Sequence, residues 1–210
     1  PPTLLFELVI NYEDGTCTTV HSDNNWKYDF SPVTFNCIYG GEDYDASREQ
    51  KGWNQIGFDD SHWRPVVVQE APKGVLRPQM AAPVKIMERC DIQKVTKLNA
   101  EQIASASIST KRTVDPSAFV LDMGQNLAGF PEITVRGKRG QKVTLIVAEA
   151  LTDEGACNQR QTGRQHYYEY TLKGEGDETW HPRFSYYGFR YIQVEGAVLK
   201  GQKNPQKLPV

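Results

Sequence analysis

No charge of one sign prevails in this chain of 210 residues: 24 basic side chains against 26 acidic ones leave a formal charge of -2. That balance excludes the basic surface excess a phosphate backbone requires, so no nucleic-acid partner is expected. No apolar run is long enough to cross a bilayer, and no membrane partner is expected. Cysteine is sparse: Cys17, Cys37, Cys90 and Cys157 lie far apart, without CxxC spacing, and the four histidines are equally scattered. Neither a metal site nor a cofactor is expected from such a distribution. Each cysteine sits in or beside an apolar strand pattern, which favours four buried free thiols over two disulfides. Helical periodicity is also scarce and is confined to residues 99–107.

The usual catalytic signatures are missing as well. There is no GxSxG elbow, His62 merely follows Ser61 in a turn, and the glycines of residues 124–129 do not make GxGxxG. Glycosidases need two facing carboxylates about 5 to 9 Å apart, which directs attention to Glu42 with Asp45, Asp59 with Asp60, and Glu149 with Asp153 or Glu154. Adjacent acids on a strand point to opposite faces, and the others fall in stretches of solvated charge, so no catalytic residue is assigned.

What is present is strand pattern. Residues 119–149 read as strand, polar Gly-rich loop, strand, basic turn and strand, with Ile133 and Val135 alternating before Gly137 and Gly140, and Val143, Leu145 and Val147 after them. The last two runs are expected to form a hairpin across residues 137–140. Asp14-Gly15 sets a second hairpin between residues 4–12 and 16–22, and residues 65–70 read as a short strand. Residues 150–165, with Gly163 and Arg164, read as a polar loop; residues 168–172 and 187–195 alternate again. The class is therefore all-β, with turns at the spacing of a β-sandwich.

Residues 40–63 show no strand period but hold Tyr44, Trp53, Phe58 and Trp63. Asp59, Asp60 and Ser61 suit an Asx-type turn that aims Phe58 and Trp63 inwards. Structural anchoring outweighs sugar stacking by Trp53 or Trp63, because large aromatics in loops more often cover a core edge. Pro72, Pro78 and Pro83 mark a linker.

Taken in order, IYGGEDYDASREQKGWNQIGFDDSHW, LRPQMAAPVKIME, VLDMGQNLAGFPEITVRGKRGQKVTLIVAEALTDEG and PRFSYYGFRYIQVEG resemble the β-sandwich region of bacterial α-L-rhamnosidases, inverting glycosidases that remove terminal rhamnose. The resemblance covers residues 26–196 and implies a concanavalin-like jelly roll with a partial second β module at the N-terminus. The expected layout is a module over residues 1–70, a linker over 71–83, the jelly roll over 84–197 and a tail over 198–210 that frays or links onward. It further implies a rhamnose-containing glycan as the parent enzyme's substrate and a catalytic helical (α/α)6 barrel as partner in cis; that family's catalytic motif does not occur in these residues. The alternative is an autonomous carbohydrate-binding module stacking sugars on Trp53, Trp63, Tyr186 or Tyr187. Asp122, Gln125 and Asn126, in the polar loop, are expected to tie its backbone or bond a neighbouring domain.

Overall fold

The computed structural model describes residues 3–70, 73–75, 77–105, 114–160 and 165–210. Pro72, Gly163, Arg164 and the end of the expected helix lie outside the described residues. In chain order the first elements are β1 (Glu7–Asn11), β2 (Cys17–His21), β3 (Lys27–Tyr28), β4 (Val33–Cys37), β5 (Gly41–Asp45), β6 (Arg64–Pro65), β7 (Lys94–Lys97) and the helix α1 (Ala100–Ser105). There follow β8 (Phe119–Gly129), β9 (Ile133–Arg136), β10 (Lys142–Ala148), β11 (Ala150–Leu151), β12 (Cys157–Asn158), β13 (Tyr167–Thr171), β14 (Asp177–Trp180) and β15 (Tyr187–Glu195). The chain divides into two compact units, Pro1–Phe30 with Gln50–Ile86, and Ser31–Glu49 with Met87–Val210. Residues 31–49, placed by the sequence reading in the first module, thus belong to the second unit.

In the first unit β1 and β2 form the expected Asp-Gly hairpin. Asp14 Oδ1 accepts from the Thr16 amide at 2.9 Å, and Gly15 takes the positive φ of 83° that the turn needs. β3 pairs with β6, which is shorter than the strand expected over residues 65–70. The Asx turn forms as expected, with Asp59 Oδ1 accepting from the Ser61 amide at 3.0 Å. Among the described residues of this unit none is fully buried.

The second unit holds a seven-stranded sheet in the order β4-β5-β13-β10-β15-β8-β7. Every neighbouring pair is antiparallel except β5 with β13. β10 is apolar on both faces because both are covered. Val143, Leu145 and Val147 enter the main core with Tyr168, Tyr170, Phe189 and Ile192, while Ile146 and Ala148 face Cys157 on the other side. β14 pairs with β9 as a separate two-stranded sheet, and its Trp180 and Val135 on β9 close the main core. This is the sandwich; Ala46–Arg48 makes a short 3-10 turn, and among the described residues α1 is its one α-helix. Asn99 and Gln102 cap that helix reciprocally: each side-chain oxygen accepts the other's amide, at 2.8 and 2.9 Å.

Four local expectations are corrected. First, β9 and β10 are not a hairpin: β9 pairs with β14, and β10 with β13 and β15. Alternation marks a buried face without naming the partner strand. Gly137 lets the chain cross close above Leu172, where a Cβ would lie 2.8 Å from its Cδ2. Second, the polar stretch after Leu121 is not a loop between strands but part of β8. Asp122 pairs with Tyr191 and Leu127 with Phe189, so Met123, Gly124, Gln125 and Asn126 stand opposite Arg190 alone, a four-residue bulge. Third, residues 40–45 are not loop: they contain β5, whose Glu42 and Tyr44 are buried. Fourth, the tail does not fray. Val210 exchanges backbone bonds with Arg136 at 2.8 and 2.9 Å, and the Asn204 side chain bonds both the amide and the carbonyl of Leu208, closing the return. Of the cysteines only Cys157 is buried, where desolvation pushes its thiol pKa up; Cys17 and Cys90 are exposed and Cys37 is half-buried. An apolar neighbourhood in sequence does not bury a side chain on the outer face of a hairpin, where Cys17 lies.

Candidate functional site

The chemistry-bearing groups of the second unit gather on either side of β14. Glu42, wholly buried on β5, accepts the amides of Arg183 at 3.1 and 3.2 Å and of Phe184 at 3.1 Å. Asn36, its cross-strand partner on β4, donates to the same carboxylate at 3.1 Å. A carboxylate spent in this way fixes the loop after β14 across more than a hundred residues of sequence. The sequence reading placed Glu42 among solvated charges; pairing of β5 with β13 removes it from water.

Glu178 does the same on the other side. Its carboxylate accepts the Tyr170 hydroxyl at 2.8 Å and the amides of Lys173, Gly174 and Glu175 at 3.0, 2.8 and 3.2 Å. Burial raises its pKa, and the bonds from Lys173, Tyr170, Gly174 and Glu175 outweigh that and leave it below the ordinary value. Tyr170 itself stacks on both Tyr44 and Trp180, at centroid distances of 5.9 and 5.3 Å, and those two rings are in turn 5.9 Å apart, a three-ring cluster.

A histidine that the sequence reading passed over lies in the same layer. His166 is fully buried, its Nε2 is 3.1 Å from the Tyr168 hydroxyl, and its ring lies 4.2 Å from that of Tyr187. Desolvation pushes its pKa down to about 4, so it is neutral near pH 7. Gln159 holds its backbone, accepting the His166 amide and donating to the His166 carbonyl.

Asp122 takes a two-point fork from Arg190, at 2.8 Å to Nε and 3.0 Å to Nη2, and also accepts the Gly124 amide at 2.7 Å. The Arg190 fork, followed by the Gly124 amide, holds its carboxyl below the usual range. Asp122 thereby links Arg190 to the backbone of its own bulge at Gly124. Gln125 and Asn126 lie exposed in that bulge.

The four aromatics named from sequence meet different fates. Trp63 donates its indole N–H to Gln50 Oε1 at 2.8 Å and packs on Phe58 at 5.7 Å, as an anchor does. Trp53 is exposed. Tyr187 lies against His166, whereas Tyr186 is exposed. Trp53 and Trp63 belong to the first unit, Tyr186 and Tyr187 to the second. Members of the first two acid pairs are likewise engaged, whereas Glu149 and Asp153 of the third lie exposed. Asp45 caps the Ser47 amide at 3.0 Å, Asp59 serves its turn, and Asp60 pairs with Lys27 at 2.8 Å. Among the described residues no cluster of three or more His, Cys, Asp or Glu could hold a metal ion. The arrangement can position loops and present surface, and the buried carboxylates of Glu42 and Glu178 are spent on backbone amides. Glu42, Arg183 and His166 left no spacing signal in the sequence, because their partners are backbone atoms or rings far along the chain.

Comparison with known proteins places this architecture. The family model of the α-L-rhamnosidase N-terminal domain matches residues 1–88, and that of the bacterial α-L-rhamnosidase concanavalin-like domain matches residues 112–209. An α-L-rhamnosidase of Formosa agariphila is 33% identical over 208 residues, 95% of this chain and 20% of that protein. The crystal structure of Streptomyces avermitilis α-L-rhamnosidase complexed with L-rhamnose superposes with a TM-score of 0.77 at 33% identity, covering 98% of this chain and 18% of that one. The native Aspergillus terreus enzyme gives 0.76 at 30% identity, covering 98% and 22%. The chain thus spans about a fifth of the length of the relatives it matches. By both of its domains, this chain belongs to the bacterial α-L-rhamnosidase family.

Proposed function

We propose that these residues form a non-catalytic β-sandwich region of an enzyme that hydrolyses terminal α-L-rhamnose from glycosides, with inversion, and that a helical barrel elsewhere in the same polypeptide supplies the reacting carboxylates. The observation that carries this reading is how the buried acids are used. Glu42 and Glu178 spend their oxygens on backbone amides and cannot serve as the acid and base of glycoside cleavage. The relatives' length supports it, since four-fifths of those enzymes lies outside the matched part. The linker at residues 71–83 belongs to the same reading, with β4 and β5 counted to the sandwich they join.

The test is hydrolysis of a panel of aryl glycosides by the full-length product of the natural gene. Cleavage of the α-L-rhamnoside in preference to other aryl glycosides is expected; indifference to the rhamnoside would end the proposal. The carbohydrate-module alternative is less favoured, because Trp63 and Tyr187 each have a face or polar edge committed inside the fold.

A further inference from the structure

We propose that Ile38, Tyr39, Phe184 and Tyr186 make one docking surface for another part of the same polypeptide, and that Glu42 is the residue that builds it. These four large apolar side chains are 54 to 66% exposed. They come from two segments remote in sequence, the β4–β5 hairpin and the loop between β14 and β15. One carboxylate joins them: Glu42 binds Asn36 of the hairpin and the amides of Arg183 and Phe184 of the loop.

The loop is built rather than loose. Pro182 and Ser185 point inwards and are buried, His181 stacks on Phe130 at 5.0 Å, and the Arg183 guanidinium lies 5.8 Å from the centre of the Tyr44 ring. With its inward positions already filled, the loop needs neither Phe184 nor Tyr186 for its own stability, yet holds both out in water. Rigid aromatics beside an arginine are the composition of binding hot spots, and a loop ordered in advance loses little entropy when it binds. Large apolar side chains exposed on two segments that one buried carboxylate ties together mark an interaction site. Its occupant is a partner with an apolar pocket rimmed by carboxylate, which the exposed Arg183 would face. The relatives' length argues for a partner in cis, because the matched part is about a fifth of their chains. This inference rests on the proposed scaffold role.

Hydroxyl-radical footprinting tests it, run on the 210-residue chain and on the full-length protein, with exposed Trp53 of the first unit as an internal reference. Phe184, Tyr186 and Tyr39 are expected to react freely in the short chain and at least fivefold more slowly in the full-length protein. Equal reactivity overturns the proposal. So does protection of the short chain by a rhamnosylated glycan, which would make the patch a sugar site, or by raising its own concentration, which would make it a self-association face. A double substitution, Phe184→Ser with Tyr186→Ser, should leave unfolding of the short chain unchanged and split the thermal transition of the full-length protein in two. An unsplit transition contradicts the proposal. Footprints and transitions are read without substrate, so the docking surface can fail while rhamnoside cleavage stands, and the reverse.

Discussion

Replacing Glu178 with alanine should be among the most damaging single changes to the sandwich. Four donors lose their acceptor: the Tyr170 hydroxyl and the amides of Lys173, Gly174 and Glu175. Gly174 and Glu175 are exposed, so their amides can turn to water, but the Tyr170 hydroxyl is buried and Lys173 is half-buried. Each buried donor left unsatisfied costs about 1–3 kcal/mol, which puts the variant about 2–5 kcal/mol below the parent. Glu178→Gln keeps one acceptor oxygen but aims an amino group at other donors, so it should also destabilise, with no charge-assisted bond to offset the clash of donors. A Tyr170→Phe background removes the orphaned hydroxyl, and the double variant should lose less than the sum of the two single losses. Urea unfolding followed by near-UV circular dichroism of the Tyr44, Tyr170 and Trp180 cluster reads this directly. A loss below about 0.5 kcal/mol for Glu178→Ala, the range of ordinary surface changes, would refute the role given to this carboxylate.

Three further outcomes follow from the geometry of the second unit. His166 has a folded pKa of about 4 against an ordinary 6.5, so the unfolded chain takes up its proton first on acidification. Stability should therefore fall as the pH drops from 6.5 towards 4 and level off below, by up to about 3 kcal/mol at 1.36 kcal/mol per pKa unit. His166→Gln should flatten that window in a pH series of urea midpoints, and an unchanged slope would show that another group titrates there. The contribution of Glu178 has its own window, present above its ordinary pKa of 4.5 and lost as the pH falls through its lower folded value. Gly41→Ala is expected to prevent β5 from pairing with β13: a Cβ would sit 1.7 Å from the Tyr167 carbonyl oxygen, at a φ of 97°. Loss of amide exchange protection in both strands would show it, and native-like protection would contradict it.

Much of the sandwich was legible because alternation follows directly from one-sided burial. Val143, Leu145 and Val147, then Tyr168 and Tyr170, and finally Phe189 each announced a strand whose inward face is now the core. The Asp14-Gly15 turn was equally readable, since its chemistry is local. What escaped was non-local. Nothing in GGEDYD says that Glu42 binds amides of residues 183 and 184, and nothing in ITVR says that its partner is β14 rather than the next strand. The polar bulge opposite Arg190 looked like a loop because four consecutive residues leave the ladder while the strand continues on either side. The Asx turn before Trp63 was legible because it is local, whereas the packing of half-buried Tyr187 against His166 depends on two strands meeting.

The central claim is that this sandwich supports catalysis performed elsewhere in the polypeptide. The most direct measurement is the rate at which the purified 210-residue chain releases the aryl group from an aryl α-L-rhamnoside, beside the full-length protein at equal molarity. Release at the rate of buffer alone by the short chain, with turnover by the full-length protein, is the result this account predicts. Enzyme-like turnover by the short chain, abolished by a single carboxylate substitution that leaves the fold intact, would contradict it.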